Sequence, residues 1–151
     1  MNPMTHRDAY YRLAGMTALS FVSMYILMYA MVNTFENVFN SVNQVYMAGL
    51  MTAPMVLIEL SLMSSMYPQK KLNLILVIAA AVIACVFFVM IRQQALVTDR
   101  QFLRSMIPHH AGAILMCEKS ILQSAEIKSL CASIISGQTS EIGRMKALLE
   151  K

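Results

Sequence analysis

Three long apolar stretches, at roughly 13–32, 45–67 and 72–91, limit what this chain can fold into. Each approaches or reaches the ~20 residues an α-helix needs to cross a ~30 Å hydrocarbon core. Backbone in lipid must satisfy its own hydrogen bonds, so such stretches become helices and not loops or open strands. Only 13% of the 151 residues are charged and mean hydropathy is +0.57, which sets the chain among membrane proteins. The first stretch follows Arg7 and Arg12 and is trailed by Asn33 and Phe35, with no compact small-residue cleavage site. It therefore reads as a retained anchor, not a signal peptide. No segment carries a strand signal, and the expected class is all-α.

The loops set the orientation. Lys70 and Lys71 lie between the second and third stretches, on the same side as Arg7 and Arg12. The first loop, Asn33 to Gln44, holds Glu36 and no lysine or arginine. The positive-inside rule then puts the N-terminus in the cytoplasm and the C-terminal segment outside. For a bacterial inner membrane that is the periplasm. Arg92, Arg100 and Arg104 pull the other way, and the empty first loop decides between them. The net charge of +4 is spread thinly, with no basic run, so nucleic acid is not an expected partner. Membrane lipid is.

Residues 1–92 thus form a membrane domain and 93–151 an exported tail. Thr98-Asp99-Arg100-Gln101 has the form of a capping box, in which Thr98 and Gln101 satisfy each other's exposed amides. Helical spacing continues through Phe102, Met106, His109, Ala113 and Met116, with Pro108 expected to kink the helix or restart it. The helix is expected to end near Gln123, and Ser124 to cap a second helix reaching Leu149. Two helices alone bury too little apolar surface to be stable. A second copy completing a four-helix bundle is the simplest remedy, so a homo-oligomer is expected.

This tail gathers soft ligands. Met106, His109, Ala113 and Met116 fall at i, i+3, i+7 and i+10, one face of a helix. His110 follows His109, and Cys117, Cys131 and Met145 add sulfur. Thioether with imidazole is a set that Cu(I) and Ag(I) accept and that Mg(II) and Ca(II) do not. A turn near Gln123–Ser124 makes antiparallel neighbours sum to about 247. That sets Met106 level with Glu141, His109 with Gln138, Cys117 with Cys131, and Phe102 with Met145. Cys117, Cys131 and Glu141 are therefore additional candidate ligands, although the two cysteines also suit a small apolar pair. With three cysteines in the chain, at least one thiol is left outside any intrachain disulfide.

The run Asp99-Arg-Gln-Phe102-Leu-Arg-Ser-Met106-Ile-Pro108-His109-His110-Ala-Gly-Ala-Ile-Leu-Met116 resembles the signature of the bacterial family called domain of unknown function 305. Ile134-Ile135-x-x-Gln138-x-x-Glu141-Ile142-x-x-Met145 resembles that family's second helix. The likeness spans about residues 95–150. It implies a ferritin-like helical protein, exported, of a kind that binds copper or silver and supports copper tolerance. It further implies that Met106, His109, His110, Met116 and Met145 belong to the metal-binding face. The chain departs from the family pattern in carrying one hairpin, fused to three spans. The di-iron chemistry of ferritin-like bundles is not expected, because no glutamate in the tail lies three residues before a histidine.

Methionine is abundant in the membrane half too. Met24, Met28 and Met31 share one face of the first span, and Met47, Met51 and Met55 one face of the second. Two readings stand: a thioether-lined vestibule for Cu(I), or flexible packing beside Ala48, Gly49 and Ala53. Glu59, costly in lipid, is either an intramembrane metal or proton site or a hydrogen-bonded group near the inner interface, with Ser61, Asn73 or a neighbouring subunit as partner. The resulting expectation is a non-enzymatic, membrane-anchored Cu(I) or Ag(I) binding protein for copper tolerance or delivery, with a copper pump or chaperone as partner. The alternatives are an oligomeric module that docks a pump or sensor, and a small metal-transport subunit.

Overall fold

The computed structural model describes residues 6–151, with side chains from Asp8 onward, so the Arg7 side chain lies outside the described residues. Among them there are five α-helices and no strand: α1 His6–Leu27, α2 Val42–Leu62, α3 Lys70–Gln93, α4 Asp99–Lys119 and α5 Ala125–Leu149. The all-α class holds. Three segments are long and apolar enough to cross a membrane: Asp8–Met31, Val42–Leu62 and Lys70–Gln93. At 1.5 Å per residue, the shortest, of 21 residues, spans roughly 32 Å.

The helix bounds differ from the apolar bounds for physical reasons. α1 starts well before residue 13, because a helical turn can hold polar side chains where hydropathy finds no signal. α2 stops at Leu62, short of residue 67. There the chain enters a 3-10 turn, Ser64–Met66, and Pro68 biases Tyr67 away from helical backbone. Pro54 lies inside α2, where it leaves the Leu50 carbonyl without its usual amide donor.

The chain divides into two compact units, and the division does not follow sequence order. The first holds the segment ending at Leu27 together with Val45–Ala95. Its core is Ala9, Leu13, Leu60 and Tyr67, flanked by Val56, Leu76 and Val77. Polar groups at this end satisfy one another. Tyr67 donates to Glu59 Oε1 at 3.1 Å, Tyr10 donates to Asn73 Oδ1 at 2.7 Å, and Asn73 Nδ2 donates to the Tyr67 carbonyl at 2.7 Å. The partner of Glu59 is thus Tyr67 and not the expected Ser61 or Asn73, and Ser61 turns back to the Leu57 carbonyl. Further along, the Phe87 ring fills the space that a Cβ on Gly49 would need, so α2 and α3 meet closely there.

The second unit holds Met28–Gln44 and Leu96–Lys151. The first loop, which sequence order groups with the membrane half, packs with the α4–α5 hairpin. Ile107, Ala111, Ile114, Ile142 and Met145 form the core, and Val32 and Phe39 of the loop pack against it. Gln101 Oε1 accepts from the Val42 amide at 3.0 Å, and Asn43 Nδ2 donates to Ser105 Oγ at 3.2 Å. Gly112 lets the Met31 carbonyl approach α4, leaving 3.5 Å between that oxygen and an ideal Cβ. Apolar surface on the hairpin that seemed to demand a second copy is therefore covered in part by the chain itself.

Candidate metal-binding face

Local chemistry sets the ends of both hairpin helices. Thr98 Oγ1 accepts from the Gln101 amide and Ser124 Oγ from the Ile127 amide, both at 3.4 Å. The reciprocal half of the expected capping box does not form. Gln101 turns to Val42, and the Thr98 amide donates to the Leu96 carbonyl. α4 runs without interruption through Pro108 and ends at Lys119, four residues before the expected stop. Ser120 to Ser124 then make the turn into α5.

The hairpin register is close to the expected one at the turn and shifts away from it. Cys117 and Cys131, whose numbers sum to 248, are joined by a disulfide with their Cα atoms 5.3 Å apart. Toward the open end, Glu141 meets His110, a sum of 251, and not Met106. One helical turn of drift accounts for the difference.

His110 is the best-defined polar group on this face. It is buried, 9% exposed, with Nδ1 2.9 Å from the Met106 carbonyl and Nε2 2.8 Å from Glu141 Oε2. A carbonyl only accepts, so Nδ1 must carry a proton and donate to it. A further proton must then sit between Nε2 and the carboxylate. Whichever partner holds it, Nε2 is engaged, and His110 is not an open ligand as the sequence reading had it. Glu141 gives Oε2 to that pair, while its side chain remains 59% exposed.

His109 differs. It is exposed, it meets the His110 ring edge-on at 6.0 Å between centroids, and its ring nitrogens take no hydrogen bond among the described residues. Met106, one turn earlier, is half-buried against the core cluster that contains Met145. Met145 itself is 9% exposed. Met116 is 57% exposed and ten residues beyond Met106, or about 15 Å along the helix. One ion cannot bridge those two, so the shared helical face contains no single five-ligand site.

The other expected ligands fare unevenly. The Cys117–Cys131 disulfide leaves neither sulfur as the thiolate that binds metals, which removes both from the ligand set in this state. Cys85 is the free cysteine. Among the described residues no three His, Cys, Asp or Glu groups gather as a metal would need. In the first unit, Met24 and Met55 line one crevice of about 620 Å³ together with Met16, which lies outside the six expected. Met47 and Met51 are 39% and 43% exposed, and Met28 and Met31 belong to the second unit. Of the six methionines, Met24 and Met55 are the two that share this crevice. Helical periodicity finds residues on a common face, but it does not say how that helix is rotated toward its neighbours.

Residues 90–149 match the family model described as "Domain of unknown function (DUF305)". A relative, "Uncharacterized protein L153" of Acanthamoeba polyphaga mimivirus, is 33% identical over 139 residues, which is 90% of this chain and 90% of that protein. The chain belongs to the DUF305 family. An alignment of 139 residues extends well beyond the 60 residues from 90 to 149, so the likeness to the viral protein reaches into the membrane half. No solved structure matches the chain.

Proposed function

We propose that this DUF305 protein is a membrane-anchored holder of Cu(I) or Ag(I) that works by coordination, without turnover. The observation that carries this reading is the exposed imidazole of His109, without a hydrogen bond among the described residues, one helical turn from Met106. Nitrogen and thioether donors suit soft monovalent ions. Met145, in the core cluster against which Met106 packs, is a further source of sulfur. His110 and Glu141 brace the helix beside this pair in place of binding the ion. Met116 is a separate, exposed thioether.

The reading includes sidedness. A disulfide persists in oxidising compartments, so the Cys117–Cys131 bridge supports a hairpin on the outer side of the membrane. The lysine pair at the start of α3 and a first loop without basic residues support the same orientation. In a bacterial cell the hairpin would face the periplasm, where a bound ion can be withheld from the cytoplasm or passed to a pump or chaperone.

A second reading, an oligomeric module docking a partner protein, is favoured by exposed apolar side chains on α5, with Ile127 and Leu130 at 49% and 59%. Anaerobic competition titration of the full-length protein against a Cu(I) chelator separates the two. Coordination predicts Cu(I) and Ag(I) binding far tighter than Zn(II). Zn(II) binding as tight as Cu(I), or no binding of either, would leave the docking module as the better account.

A further inference from the structure

A cleft of about 310 Å³ opens in the second unit, lined by none of the metal-face residues. Arg100 and Arg104 on α4 and Lys146 on α5 line it, facing Glu36 of the first loop and Glu150. Three cations against two carboxylates leave a surplus of one positive charge. Among the described residues none of these five groups forms an ion pair. Arg104 Nε is buried without a hydrogen-bond partner. A donor on a charged group left unmet in this way is costly, and a bound acceptor would relieve it. The remaining lining, Phe39 and Leu149, is apolar and partly buried.

The arginine fork matches the paired oxygens of a phosphate, and lysine adds a point charge to the same anion. We propose that this cleft binds a phosphate group, and that the phosphate belongs to a lipid headgroup. Two features favour lipid as the source. The apolar Phe39 and Leu149 suit the glycerol and acyl ester part of a lipid better than a fully hydrated ion. Arg100 follows the end of α3 at Gln93 by seven residues, and Phe39 precedes the start of α2 at Val42 by three. Arg100 and Phe39 of the cleft lining therefore lie within a few positions in sequence of two apolar helices. None of the metal-face residues takes part, so this site stands or falls separately from the coordination reading.

The test uses the full-length protein in detergent, titrated with phosphatidylglycerol and read by native mass spectrometry, with inorganic phosphate as competitor. The wild type should retain one phosphatidylglycerol, and Arg104→Gln with Lys146→Gln should weaken that binding roughly tenfold. Arg100→Gln, at an exposed position, and Lys146→Gln, each alone, should weaken it about threefold. Lipid retained in the presence of millimolar phosphate confirms the headgroup as source. Displacement by phosphate keeps the phosphate site and overturns the lipid assignment. Retention unchanged in both single variants overturns the site itself.

Discussion

Replacing Cys117 and Cys131 together by serine should loosen the hairpin substantially. The two residues are 14 apart in sequence and close a ring of about 15 residues containing the whole α4–α5 turn. By the chain-entropy relation a ring of that size stabilises the folded state by about 3 kcal/mol. This is on the order of a hundredfold in the opening equilibrium, since each 1.4 kcal/mol is a factor of ten. For a unit of this size each kcal/mol moves the midpoint by about 4–8 °C, so the loss should be roughly 12–24 °C. Hydrogen exchange of α4 and α5 peptides in the full-length protein, with and without reductant, is the direct assay. The double variant should exchange like the reduced wild type, and alkylation of the unreduced, denatured wild type should find one thiol, that of Cys85. Three reactive thiols without reductant, or equal protection in all samples, would refute the reasoning.

Three further outcomes follow from the geometry. Glu141→Ala leaves the buried His110 ring without its second acceptor and should cost about 1 kcal/mol in thermal unfolding, a low figure because the Glu141 side chain is 59% exposed. Replacing both partners, as His110→Phe with Glu141→Leu, should recover part of that, and no recovery would argue against the pair as the cause. Gly49→Ala should cost about 1–3 kcal/mol, because a Cβ would enter the Phe87 ring, and adding Phe87→Ala should make the glycine change harmless. Burial first, and then the neighbouring Glu59, raise the Tyr67 phenol above the ordinary 10.0. Its folded state then holds a proton that the unfolded chain releases. Tyr67 contributes stability in full below pH 10, and loses it as pH rises through the raised folded value. Stability of the wild type should fall more steeply above pH 10 than that of Tyr67→Phe, and parallel curves would contradict this.

Local chemistry was legible in the sequence wherever one side chain and its near neighbours decide the outcome. Thr98 and Ser124 cap the helices they were expected to cap, and the three apolar segments became helices long enough to span. Long-range partners were not legible. Gln101 bonds to Val42 because the first loop folds onto α4, and nothing in the capping-box pattern announces that competition. The hairpin register was right at the Cys117–Cys131 end and a turn out at Glu141, since a constant sum assumes two straight helices lying strictly side by side, and helical periodicity does not report how they depart from that. His110 and His109 read alike in sequence, yet burial commits one to Glu141 and leaves the other exposed. The methionine faces of α1 and α2 were real periodicities whose rotation toward a common crevice only the packing decides.

The coordination reading is tested most directly by X-ray absorption at the copper edge on the full-length protein loaded with Cu(I) under anaerobic conditions. Sulfur and imidazole nitrogen should both appear in the first coordination sphere. Met106→Leu should lower the sulfur contribution, and His109→Gln should remove the imidazole signature. A sphere of nitrogen and oxygen alone, or spectra unchanged by both substitutions, would contradict the assignment of Met106 and His109 as the ligands.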